Sequence, residues 1–329
     1  MNKIPAILGG KPSIKYTFKN TNYIGKEEKK AVNRVMNTGK LSGFVGAWVP
    51  EFYGGKEVKR LEKNWSKYFK VKHSVSMNSA TSCLIAAIGA LNIQLGDEVI
   101  IPPTTMTASA AAILFYNAIP IFVDICPNTF CIDPDKIEKA ITKKTKAIVV
   151  VNIYGFTANW EKIKKIAKKY NLKTIEDAAQ TAGGFYGKKH SGTLGDIGVY
   201  SLNRHKTIHC GEGGICVTND DKLCERLQLI RNHGEAVVRK KKSSNLSNLV
   251  GYNFRMTEIE AAIANEQLKK LKKILESRIK ICRAIIKEFK KFEGFIPPLK
   301  KYCLDNKIRI KHTFYYLTFK FDKKNSQKV

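Results

Sequence analysis

Lys206 lies in the run Ser201-Leu-Asn-Arg-His-Lys206-Thr-Ile-His-Cys-Gly211-Glu-Gly-Gly214, shortly after Glu176-Asp177-Ala-Ala-Gln180. An amine, a carboxylate and an amide, each beside a strand-like run, have the types and spacing that a pyridoxal phosphate site needs. The amine condenses with the cofactor aldehyde, and the carboxylate keeps the pyridine nitrogen protonated so that the ring withdraws electrons. Taken singly, a lysine in a chain with 58 Lys and Arg against 28 Asp and Glu reads as a solvated surface charge. The constellation points to chemistry where its members do not.

Such residues need strand ends to hold them. From about residue 72 the chain alternates β-rich runs with helical ones. Strands are expected at Ser74–Met77, Glu98–Ile101, Ile119–Asp124, Ala147–Tyr154, Thr174–Asp177, Ile197–Leu202 and Gly214–Thr218. Helical periodicity covers Ala80–Leu91, Thr107–Tyr116, Pro134–Ile141 and Trp160–Tyr170. This alternation predicts an α/β fold with a mostly parallel central sheet flanked by helices. Ligands in such sheets bind at the carboxyl ends of the strands, and Asp177, Ser201 and Lys206 all lie at or just past one.

After Gly251 the texture changes. Thr257 with Glu260 three residues on is a capping box, opening a helical pattern that runs to about Phe292 and is broken by Pro297-Pro298. The aromatic run His312–Phe321 reads as a strand, and one strand is too little for an independent sheet, so it must join other elements. The expected organisation is a large cofactor-binding domain with an N-terminal arm over 1–250, then a smaller C-terminal domain over 251–329 that reads as incomplete.

The net charge of +30 invites a nucleic-acid reading. Its lysines, however, are spread over helical faces at 136–146, 162–169 and 269–273, without an arginine-rich arm, RNA-binding aromatic signature or zinc finger. A general attraction to polyanions remains, including a nucleotide-linked substrate. Arg239-Lys-Lys-Lys242 reads as an exposed loop. The eight cysteines, Cys303 among them, show no C-x-x-C pairing and suit buried thiols in a reducing compartment. His205, His209 and Cys210 lack the further ligands a metal needs. Leu8-Gly-Gly-Lys11 lacks the spacing of a phosphate-binding P-loop. No apolar run spans a bilayer, and the polar start Met1-Asn-Lys-Ile has no signal-peptide core; a soluble cytoplasmic protein is expected.

From about Thr38 to Leu299 the chain resembles the sugar aminotransferases named after DegT, DnrJ, EryC1 and StrS, a branch of the fold-type I pyridoxal phosphate enzymes. Seven stretches in order carry the resemblance: Tyr68-Phe-Lys-Val-Lys-His73 into Asn78-Ser-Ala-Thr81-Ser, Gly96-Asp-Glu-Val-Ile-Ile-Pro102, Pro120-Ile-Phe-Val-Asp124, Glu176–Gln180, Gly195-Asp-Ile-Gly198, Lys206 through Gly214, and Gly251-Tyr-Asn-Phe-Arg-Met256.

The resemblance implies that Lys206 carries the cofactor, Asp177 pairs with the pyridine nitrogen and Gln180 sits against the ring hydroxyl. Ala80 and Thr81 at a helix start, with Ser201, would hold the phosphate. Asn253 would reach it from a neighbouring subunit, making a homodimer with shared sites. Met106 stands where many relatives place an aromatic ring over the cofactor; a thioether also packs on a π-face. Asn152 and Asn159 replace a His and an Asp frequent around the Tyr-Gly pair.

Relatives also continue beyond the end of this chain, so a cofactor-binding protein of little activity is one alternative. A minority branch has histidine at the Lys206 position and dehydrates deoxysugars; lysine here favours transamination. The implied reaction moves an amino group from glutamate or glutamine to a keto sugar carried on a nucleotide, for amino-sugar and surface-polysaccharide synthesis. A keto-cyclitol acceptor is the other alternative, which the opening Leu8-Gly-Gly-Lys11 fits about as well.

Overall fold

The structure is a computed structural model that describes residues 4, 6–17, 23–234, 249–292, 294–297 and 310–322. The basic loop expected at 239–242 and Cys303 lie outside the described residues.

The strands are, in chain order, β1 (His73–Met77), β2 (Glu98–Ile101), β3 (Ile119–Phe122), β4 (Thr145–Val151), β5 (Lys173–Asp177), β6 (Phe185–Tyr186), β7 (Lys189–His190), β8 (Ile197–Ser201) and β9 (Gly214–Thr218). Seven of them form one sheet in the order β1-β9-β8-β5-β4-β2-β3. All neighbours pair in parallel except β9, which runs antiparallel between β1 and β8. The fold is thus the mostly parallel α/β sheet expected from the alternation. Its strands are near-continuous apolar runs, as in Thr145–Val151, because both faces are covered.

The helices are α1 (Lys26–Met36), α2 (Lys56–Phe69), α3 (Ala80–Ala90), α4 (Thr107–Leu114), α5 (Pro134–Ile137), α6 (Trp160–Lys169), α7 (Asp221–Arg231) and α8 (Glu258–Phe289). One core packs α3, α4 and α7 against one face of the sheet through Val99, Val149, Ile175, Val199 and Cys216. A second packs α2 and α8 against the other face, through Tyr200, Ile215 and Val217. Val199 and Tyr200 enter opposite cores because successive strand residues point to opposite faces. Helix α6 buries Trp160, Ile163, Ile166 and Ala167, at i, i+3, i+6 and i+7, and leaves its lysines outside. Asn159 caps it, its Oδ1 accepting from the Lys162 amide at 3.3 Å. The Thr257–Glu260 capping box forms as expected and starts α8.

One expectation fails. The run His312–Phe321 is not a strand. Pairing is confined to the residues just before it and to its end: β11 (Ile310–Lys311) joins the β6–β7 hairpin, and β12 (Lys320–Phe321) pairs with β10 (Phe295–Ile296). Between them Phe314 adopts φ 50, which no strand tolerates, and residues 312–316 form a strap over the segment Ile153–Gly155. Thr313 N donates to Gly155 O at 3.0 Å and Tyr316 N to Tyr154 O at 3.2 Å. Gly155, at φ +100, leaves no room for a Cβ, which would meet Thr313 Oγ1 at 2.5 Å and Tyr315 N at 2.7 Å. The aromatic alternation was a signal of burial and not of extended backbone: His312 and Phe314 pack together, with Phe156 against the imidazole.

The described cysteines are buried free thiols. No described helix is long and apolar enough to cross a membrane.

Candidate active site

The strand register fixes where the site lies. Val151 is paired with Asp177 and Asp177 with Val199, while Ser201 is paired with Gly214 and Gly214 with Met77. The carboxyl ends of β1, β4, β5 and β8 therefore share one rim, and β9 starts from it. A cavity of about 480 Å³ opens at that rim. Among its lining residues are Ala80, Thr81, Met106, Asp177, Gln180, Ser201 and Lys206. Seven of the eight residues singled out by sequence are thus brought together. The eighth, Asn253, is exposed and lies outside the cavity of its own chain, where its Oδ1 accepts from Arg255 Nε at 2.9 Å.

Asp177 ends β5 as a buried carboxylate held on both oxygens. Ser109 Oγ donates to Oδ2 at 2.9 Å and the Ala179 amide to Oδ1 at 3.1 Å. Burial pushes its pKa above the ordinary carboxylate range; the Ala179 amide, the Ser109 hydroxyl and the Lys206 charge pull it back. A cationic ring nitrogen is the kind of partner that such a carboxylate lacks.

Lys206 sits in the loop between β8 and β9, its amide donating to Asn203 O at 2.8 Å. Burial lowers the amine below the ordinary lysine range, with Asp177 opposing. A desolvated amine is more readily neutral at physiological pH, as nucleophilic and basic lysines must be. Its Nζ lies 4.9 Å over the centre of the Tyr315 ring.

At the start of α3, Ser79 Oγ accepts from the Ser82 amide at 3.0 Å. The amides of Ala80 and Thr81 lie in the first turn, whose N–H groups have no intrahelical acceptor, so they are available to an anion at the positive end of the helix dipole. Gly214 permits this arrangement, since a Cβ there would meet Ala80 N at 2.6 Å. Ser201 faces the same end of the cavity from β8. These donors, the buried carboxylate and the desolvated amine fit a phosphate, a pyridinium and an aldehyde respectively.

Gln180 is oriented by its neighbours, with Tyr154 N donating to Oε1 at 2.6 Å and Thr313 Oγ1 to its carbonyl at 2.9 Å. Met106 caps α4 and is 67% exposed, at the mouth of the cavity. Asn152 is buried. Its Nδ2 donates to Glu176 Oε1 at 2.7 Å and its Oδ1 accepts from the Ala158 amide at 3.0 Å. Asn159 caps α6 and does not line the cavity.

Sequence reasoning missed Ser109, Tyr315 and Tyr316, all of which line the cavity. Ser109 had a faint signal, as a polar residue in the first turn of the otherwise apolar helix Thr107–Leu114. The tyrosines had none, being absorbed into an aromatic run that looked like a strand.

The DegT/DnrJ/EryC1/StrS aminotransferase family model matches residues 22–329. The chain belongs to this family. Among its relatives, a GDP-perosamine synthase of Caulobacter vibrioides is 38% identical over 254 residues, 77% of this chain and 65% of that protein. An L-glutamine:2-deoxy-scyllo-inosose aminotransferase of Streptomyces kanamyceticus is 35% identical over 249 residues, 73% of this chain and 57% of that protein. The chain thus spans less than two thirds of the length of either relative. Of solved structures in the same fold, an E. coli GDP-4-keto-6-deoxy-D-mannose-3-dehydratase with bound hydrated PLP aligns with a TM-score of 0.79 at 27% identity, covering 92% of this chain and 78% of that one. The DegT/DnrJ/EryC1/StrS family fold accordingly includes proteins that hold pyridoxal phosphate.

Proposed function

We propose that this protein is a pyridoxal phosphate-dependent aminotransferase that moves an amino group from glutamate or glutamine to a keto sugar carried on a nucleotide. The observation that carries the reading is the meeting of a desolvated lysine amine and a buried, doubly hydrogen-bonded carboxylate in one cavity at the strand ends.

Bound in that cavity, the cofactor supplies an aldehyde that carries the amino group and a ring that withdraws electrons. Lys206 would hold the aldehyde, and as a free amine in the same cavity it would serve as the base that moves a proton at the donor α-carbon. Asp177, kept in place by Ser109, would hold the proton on the pyridine nitrogen. Gln180 would hold the ring hydroxyl, Met106 would cover the ring, and Ala80, Thr81 and Ser201 would bind the phosphate. Asn253, exposed on its own chain, would reach the phosphate of a second copy in a homodimer with shared sites.

The second half of the reaction reverses these proton movements on the keto acceptor. The similarity to a GDP-perosamine synthase supports a nucleotide-linked keto sugar. The similarity to an L-glutamine:2-deoxy-scyllo-inosose aminotransferase supports a keto-cyclitol as the second reading. The test is to load the purified protein with pyridoxal phosphate and add L-glutamate or L-glutamine. Loss of the visible cofactor band with release of the 2-oxo acid supports amino transfer, and acceptors of the two classes then separate the readings. A cofactor band that neither donor alters would refute it.

A further inference from the structure

The ring of Tyr315 faces the amine on which the proposed reaction turns. Lys206 Nζ lies 4.9 Å from the ring centroid, inside the range in which a cation is attracted to an aromatic face. Tyr315 is half-buried on the strap, and both it and Tyr316 line the cavity. Their rings meet edge to face at 4.7 Å. The strap is tied down on both sides of Tyr315, by Thr313 N to Gly155 O, Thr313 Oγ1 to Gln180 O and Tyr316 N to Tyr154 O. The ring is therefore held by backbone that grips Gln180 and its neighbour Tyr154.

We propose that Tyr315 is a positioning residue for Lys206: its ring face holds the amine inside the cavity whenever that amine is not bonded to the cofactor. The inference rests on the function proposed above for its significance, since only a lysine that detaches and returns needs such a rest position. A carboxylate within ion-pair distance would fix the ammonium form and oppose its return to a neutral nucleophile. An aromatic face attracts the ammonium more weakly, enough to orient it without trapping it.

The charged and titratable groups around the amine come from several elements. Asp177 ends β5, His205 and Glu212 flank the cavity on the lysine's own loop, and Tyr315 and Tyr316 lie on the strap. Arg278 on α8 donates to Thr207 Oγ1 at 3.0 Å and acts electrostatically on Tyr315. Burial pushes the Tyr315 hydroxyl up to about 12, so the ring stays neutral and its face stays attractive to a cation over the working pH range.

The test reads the amine directly in the cofactor-free, full-length protein. Trace acetylation across roughly pH 7 to 11, with the Lys206 peptide quantified by mass spectrometry, yields the pKa and reactivity of that one side chain. Tyr315→Phe keeps the face and should titrate as wild type. Tyr315→Leu should shift the Lys206 pKa down by about half a unit to one and a half units, because the ammonium loses its partner while its burial remains. Tyr315→Met keeps more bulk and should shift it in the same direction, so the prediction survives if the leucine variant fails to fold. An unshifted pKa in the folded non-aromatic variants overturns the proposal, as does a Tyr315→Phe shift as large as theirs. The measurement needs no turnover, so its failure is distinguishable from failure of the aminotransferase reading.

Discussion

Ser109 Oγ, on the first turn of α4, donates to Asp177 Oδ2 at 2.9 Å across 68 residues of sequence. The same hydroxyl lies 2.8 Å from Thr105 Oγ1. With the Ala179 amide on Oδ1, the carboxylate is fixed in rotation, and both donors pull its pKa back against the effect of burial. Ser109→Ala removes one of these donors and raises the proton affinity of Asp177. Hydrogen bonds to charged groups contribute about 1.5–3 kcal/mol, so the variant should bind pyridoxal phosphate roughly ten- to a hundredfold more weakly. A cofactor titration by absorbance at neutral pH checks this, and wild-type affinity would remove Ser109 from the account.

The strap docks on Ile153–Gly155 with no room to spare. Gly155→Ala places a methyl group 2.5 Å from Thr313 Oγ1 and 2.8 Å from Phe314 N, at a φ of +100 that an L side chain adopts only with strain. The loss of stability should be about 2 kcal/mol or more, read as a lower denaturant midpoint. Because Tyr315 and Tyr316 move with the strap, cofactor-free Lys206 should also become more reactive. A variant as stable as wild type would mean that the strap docks differently.

The buried carboxyl of Glu176 ties the stability of the fold to pH. Burial raises its pKa from 4.5 to about 7, against the pull of backbone amides and of Asn152. A carboxyl with a raised folded pKa stabilises the fold fully below its unfolded pKa, and that contribution is lost as pH rises through about 7. His190 and His312 act oppositely. Burial lowers each to about 4, so their contribution is lost as pH falls from about 6.5. The two trends oppose each other in the wild type, and the informative quantity is a difference. Glu176→Gln should flatten the Glu176 contribution, changing relative stability by roughly 3 kcal/mol between pH 4.5 and pH 8. A constant penalty should sit on top, because the amide must turn its NH2 toward one of the two donors, Asn152 Nδ2 or Leu194 N. Urea unfolding of both proteins across that range is the measurement, and parallel pH curves would contradict it.

The fold was legible because the alternation of apolar strands and amphipathic helices is local. Glu98–Ile101, Ile197–Ser201 and Gly214–Thr218 all follow from short runs of sequence. So does the position of Asp177, Ser201 and Lys206, since strand ends mark the rim of a parallel sheet. What sequence could not show was reach. Nothing near Ser109 indicates that its hydroxyl meets a carboxylate five elements later. Nothing in His312–Phe321 distinguishes a strand from a strap; the left-handed Phe314 and the close approach of Gly155 decide it, and both depend on tertiary contact. Asn253 illustrates the opposite case, an exposed residue whose proposed role depends on a second copy.

The central claim is that one amine, Lys206, bonds covalently to pyridoxal phosphate opposite Asp177. Borohydride reduction of the loaded protein, followed by peptide mass mapping, tests it most directly. The account predicts a stable phosphopyridoxyl adduct on Lys206 and its loss in Lys206→Ala, with the visible band of the loaded wild type absent from that variant. An adduct on another lysine, or an unchanged band in Lys206→Ala, would contradict it.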